Sequence, residues 1–128
     1  MTPAVLHGND IALARDRISP EELARLAALH WGDRLVFVAD VERGVVAAGG
    51  GLPADAVLLL LEDGGRQADL WGGTYFPGQG PERCLQYTSL INVRPSHGNR
   101  GMHVQDPELR ERMRELIAAV LGEGEPLP

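Results

Sequence analysis

A helix-start signature that occurs twice, near the two ends of the chain, limits the folds open to it more than any other feature. In "SPEELARLAALHW" Ser19 can cap a helix, Pro20 suits the first helical position because its missing N–H is not needed there, and Glu22 completes a capping box. Leu23, Leu26, Ala27 and His30 recur at helical spacing, which predicts a helix over about 20–31 ended by Trp31 and Gly32. In "QDPELRERMRELIAAVLG" Asp106 and Pro107 repeat the arrangement, and Glu108 complements the positive end of the helix dipole. Leu109, Met113, Leu116, Ile117 and Val120 make a continuous apolar stripe opposite Arg110, Glu111, Arg114 and Glu115. A second helix over about 107–121 follows, with its charged face in water.

Between these helices the pattern turns to strands. "DIALARDRI", residues 10–18, reads as a short first strand, and "RLVFVADVERGVVAAGGG" as a hairpin with Leu35–Val38 and Val45–Ala48 as its strands and Gly44 in its turn. The triplet Gly49, Gly50 and Gly51 reads as a strand exit, because no Gly-x-x-x-x-Gly-Lys pattern follows it. In "PADAVLLLLEDGG" Ala54, Val57, Leu58 and Leu61 share one helical face and Gly64 stands where a C-cap belongs, which predicts a short buried helix over about 54–62. A buried strand is the competing expectation there. "ADLWGGTYF" and "RCLQYTSLINV", joined by the loop "PGQGPE", predict a second strand pair. In its second member Leu85, Tyr87, Ser89, Ile91 and Val93 alternate with Gln86, Thr88, Leu90 and Asn92, as in a sheet with one face covered by helices.

This order predicts a single α+β domain, a largely antiparallel sheet of about 4–5 strands packed by two main helices and the short one. The domain is expected over 10–121, with 1–9 a flexible N-terminal arm and 122–128 a disordered tail. At 128 residues the chain is long enough for one core. No apolar run approaches the ~18 residues of a membrane span, so no membrane partner is expected. "MTPAVLHGND" has no basic leader followed by an apolar run, and a cytoplasmic location is the expectation. A net charge of -6 argues against bulk nucleic-acid binding. All twelve basic residues are arginine, which reads as the coding bias of a GC-rich bacterial genome. The single cysteine, Cys84, excludes an intrachain disulfide and reads as a small half-buried hydrophobe.

"LLLEDG" followed by "LWG", and "SLINVRP" followed by "GNR", resemble a family of small bacterial and archaeal proteins classed as a domain of unknown function. The resemblance covers about residues 10–121 and implies one intact domain. It brings no established reaction, so no catalytic residue carries over.

The segment "SLINVRPSHGNR" concentrates the chemistry. Pro95 and Gly98 permit a turn that would bring Arg94 and Arg100 to either side of one small space. Two guanidinium forks, the Ser96 hydroxyl and the Asn99 amide would suit an anion of phosphate size, and His97 adds an imidazole able to exchange a proton. The opposing interpretation pairs an arginine with an internal carboxylate such as Asp55, Glu62 or Asp63, while Asn99 stabilises the turn. Trp71, Tyr75, Phe76 and Tyr87 are expected to pack across the later strands; an outward Trp71 or Tyr75 would stack a base beside the loop. The expectation is a non-catalytic binding or regulatory module with a small phosphate- or nucleotide-like ligand at Arg94, Ser96, His97, Asn99, Arg100 and Trp71, and with no metal or cofactor. One alternative is a metal-dependent phosphoester hydrolase or nuclease, with Mg²⁺ on Asp40, Glu42 and Asp55. Another is a homodimer formed through an exposed sheet edge or the last helix, without a ligand.

Overall fold

The computed structural model describes the backbone of residues 5–7 and all of residues 10–128. Both helix signatures act as their chemistry requires. Helix α1, Pro20–His30, begins where Ser19 Oγ accepts from the Glu22 N–H at 3.1 Å, and it buries Leu23, Leu26 and Ala27. Helix α3, Pro107–Val120, begins where Asp106 Oδ1 accepts from the Glu108 N–H at 3.0 Å, and it buries Met113, Ile117 and Val120. Helix α2, Pro53–Glu62, also forms, so the strand alternative for this run is set aside.

Six strands are present among the described residues: β1 Val5–His7, β2 Ile11–Ala14, β3 Leu35–Asp40, β4 Val45–Gly49, β5 Leu70–Tyr75 and β6 Leu85–Gln86. They form one sheet in the order β1-β2-β4-β3-β5-β6, with every neighbouring pair antiparallel. The fold is therefore α+β. Val5–His7, inside the expected arm, pairs with Leu13 to Ile11; residues 1–4 and 8–9 lie outside the described residues.

The sheet is covered on both faces, not one. Phe37, Ala39, Val46, Ala48, Trp71 and Tyr75 pack towards α1 and α3, while Leu13, Val38, Val45, Ala47 and Leu70 pack towards α2. Every side chain from Val45 to Ala48 is 0% exposed. A continuous apolar run without alternation is the signature of a strand buried on two sides.

Three expectations are corrected. The "RCLQYTSLINV" strand ends after Gln86; Ser89 caps a single 3₁₀ turn, Leu90–Asn92, and the chain leaves the sheet. On α2 the buried residues are Ala56 and Leu60, while Ala54, Leu58 and Leu61 face away from the sheet. Val57 to Leu61 is apolar at five consecutive positions, and such a run does not by its spacing choose the inner face. The C-terminal residues, expected to be disordered, lie along the loop after β5. Gly78 N–H donates to Glu125 O and Gly80 N–H to Gly124 O, both at 3.0 Å, and Gly124 N–H donates to the buried Tyr75 hydroxyl at 2.9 Å. Leu127 packs against the main core.

Candidate functional site

Strand β6 pairs with β5 only at Thr74 and Tyr75, so the outer edge of β5 from Leu70 to Gly72 lacks a strand partner. The segment that leaves the sheet supplies the missing hydrogen bonds from side chains. Asn92 Oδ1 accepts from the Gly72 N–H at 2.8 Å and Asn92 Nδ2 donates to Gly72 O at 2.9 Å, so one side-chain amide stands in for a peptide unit. Asn92 is 0% exposed, and its Nδ2 also donates to Met102 O at 3.0 Å. Arg94 extends the repair: Nη2 donates to Leu70 O, Nε donates to Ile91 O at 3.1 Å, and the guanidinium lies 4.4 Å from the centre of the Trp71 ring. The close passage requires Gly72, where a Cβ would come within 2.7 Å of Ser89.

Asn99 ties the following turn together. Its Nδ2 donates to the carbonyls of Asn92 (2.8 Å), Gly101 (2.9 Å) and His103 (3.1 Å), and its Oδ1 accepts from the Gln105 N–H at 2.9 Å. The backbones of Arg94 and Asn99 bond to each other, and Gly98 closes the turn with φ +80°. Three of the expected ligand residues are thereby re-sorted. The Nδ2 hydrogens of Asn99 are committed to backbone carbonyls, which leaves it no donor for an anion. Trp71 is buried in the core, with a ring face under Arg94 in place of a base. Arg100 is exposed, and it does not share a space with Arg94, whose side chain turns back to β5. The internal-carboxylate pairing also fails for Arg94: its side-chain hydrogen bonds run to carbonyls, while Asp63 is taken by Arg15 and Arg43.

What remains is a cleft of about 810 Å³ between α2 and the turns after β6. Ala54, Val57, Leu58 and Leu61 form one wall, and Leu90, Ile91, Val93 and Pro95 the other. The polar groups along it are Gln67, Arg94, Ser96 and His97. Leu58 is 58% exposed and Leu90 75%, so the rims of both walls are open apolar surface. Arg94 is half-buried, its Nη1 is out of water without a hydrogen-bond partner among the described residues, and burial pushes its pKa down with no carboxylate opposing the shift. An arginine so placed stays charged. Ser96 Oγ and His97 Nδ1 lie 3.3 Å apart on an exposed turn. The sequence names Arg94, Ser96 and His97 and the α2 stripe, which it places inward and not outward, and it does not disclose the role of Asn92. The signal for Asn92 was an amide inside the apolar run "SLINV", which only a backbone partner would make tolerable in a core.

The hydrolase residues do not assemble. Asp40 is 0% exposed; its Oδ1 accepts from the N–H groups of Glu42 (3.2 Å) and Arg43 (3.0 Å), and its Oδ2 from Arg43 Nε at 2.7 Å. Glu42 is exposed near Arg112, 3.6 Å away, and Asp55 is exposed in the first turn of α2. Among the described residues no group of three or more His, Cys, Asp or Glu side chains is placed to hold a metal ion, His97 and His103 included. Cys84 is buried, and burial pushes its thiol pKa up, away from the reactive thiolate. No helix among the described residues is long and apolar enough to cross a membrane.

No curated protein and no solved structure matches the chain. Residues 12–120 match the family model described as Protein of unknown function (DUF5674), which spans nearly every element that builds the cleft, and the chain belongs to that family.

Proposed function

We propose that the protein is a non-catalytic binding module whose occupant lies in the cleft between α2 and the 90–97 turns. That occupant is apolar along most of its length and carries an anionic group at the Arg94 and His97 end. One observation carries this reading: in a chain of net charge -6, the guanidinium in the cleft wall has carbonyls and an indole around it but no carboxylate. A half-buried cation without a counter-charge costs stability, and an incoming anion offsets that cost. The cleft also has the size and mostly apolar lining of a ligand site with a few convergent polar groups. Relative to the sequence expectation the anion site narrows to Arg94, Ser96 and His97, and an apolar body is added to the ligand.

Thermal unfolding of dilute protein with octanoate, octyl phosphate, octanol, acetate and inorganic phosphate tests this. Octanoate or octyl phosphate at about a hundred times its dissociation constant should stabilise by about 2.7 kcal/mol and raise the midpoint by several degrees. The two head groups separate a carboxylate site from a phosphate site. Octanol acting as strongly as both anions, or no shift with any probe, would sink the reading.

A further inference from the structure

We infer that the natural occupant of the cleft is helix α2 of a second copy of this chain, giving a two-fold symmetric dimer. This rests on the reading of the cleft as a binding site and names its partner.

The first ground is size. Leu58 (58% exposed) and Leu90 (75%) leave apolar surface on both walls, and a helix about 10–12 Å across offers more apolar area to cover them than a small amphiphile lying between the walls. The second is the form of α2. Ala54, Val57, Leu58 and Leu61 follow the i, i+3, i+4, i+7 spacing of a helix that packs on another helix or in a groove. Yet Ala56 and Leu60 are the side chains it buries at home. The stripe, of which Ala54, Leu58 and Leu61 are exposed, is also one wall of the cleft, so a single patch supplies both the helix to be covered and the groove that covers it. A self-complementary patch of this kind closes as a two-fold dimer.

The third ground is charge. Helix α2 carries two acids, Asp55 and Glu62, both exposed, and no base. The opposite wall, residues 90–97, carries Arg94 and His97 and no acid. A second copy therefore presents an acidic, leucine-rich helix to a basic, apolar wall, and supplies the carboxylate that Arg94 lacks in its own chain. Leu29, Trp31 and Leu52 are also exposed apolar side chains, and none of them lines the cleft.

Light scattering of the full chain after size exclusion, across about a hundredfold range of concentration, reads the assembly. The wild type should dimerise. Leu58→Glu should give a monomer with unchanged circular dichroism, since Leu58 is already exposed, and His97→Glu should weaken the dimer at least about tenfold. A wild type that stays monomeric at every concentration overturns the second copy; if octanoate still stabilises it, the cleft remains a binding site for something else. A dimer that survives Leu58→Glu but is split by Leu29→Glu overturns the assignment to α2. A dimer split by Leu58→Glu and indifferent to His97→Glu and to salt keeps the second copy and removes the anion recognition.

Discussion

At the scale of single residues, the two asparagines of the loop matter more than its arginines. Asn92 serves both polar groups of Gly72 and a second carbonyl, that of Met102, while fully buried. Truncation to Ala would strand a buried N–H and its neighbours, each costing about 1–3 kcal/mol when unsatisfied. Asn92→Ala should therefore lower stability by about 3 kcal/mol in urea unfolding, whereas Ser96→Ala, at an exposed turn, should change it by less than about 0.5 kcal/mol. Equal, small effects would show that the side-chain bridge to β5 is dispensable. The sequence pointed to Asn99 and Arg94 as polar groups of interest, but what they bond to was not readable, because their partners are backbone groups rather than complementary side chains.

At the scale of elements, an ion network anchors α2. Asp63, just past its end, accepts from Arg15 at 2.7 Å and Arg43 at 3.1 Å, and Arg43 continues to the buried Asp40. The network joins the exit of β2, the β3–β4 turn and the helix C-terminus. Burial alone would raise the Asp63 pKa, but hydrogen bonds from Arg15 and Arg43 outweigh it and hold the carboxyl below its ordinary 3.8. A depressed folded pKa means that the unfolded chain binds the proton first as pH falls. The contribution of Asp63 is therefore complete above 3.8 and is lost as pH drops through the depressed value. Asp63→Asn should cost about 1 kcal/mol at neutral pH, with the gap to wild type closing as pH falls below 3.8 through the depressed value in pH-dependent thermal unfolding. A gap that does not change with pH would show that the ion pairs contribute nothing.

At the scale of the whole molecule, the C-terminal residues close the layer that α3 begins. Gly124 N–H bonds to the buried Tyr75 hydroxyl, and it lies so close to Gly80 that a Cβ would come within 2.5 Å of Gly80 O. Removing residues 123–128 would leave the Tyr75 hydroxyl and two loop N–H groups without partners and strip Leu127 from the core. Loss of a few degrees in the unfolding midpoint, corresponding to about 1–3 kcal/mol, is expected; an unchanged midpoint would mean that the tail adds nothing. Composition gave no hint of this docking, because Gly, Glu and Pro are the residues of disordered ends as well as of tight passages.

The amino-acid sequence by itself determined where α1 and α3 begin, that β3 and β4 form a hairpin, and that the class is α+β. Those features depend on groups within a few residues of one another: Ser19 with Glu22, Asp106 with Glu108, Gly44 between two apolar runs. Only the tertiary structure decided which face of α2 is covered, that residues 89–94 leave the sheet, and that Arg94 reaches a carbonyl instead of a carboxylate. In each case the deciding partner is distant along the chain. Asn92 meets Gly72 twenty residues away and Arg94 meets Leu70 twenty-four residues away. A short apolar or alternating segment is compatible with several local conformations of similar energy, and long-range contacts select among them.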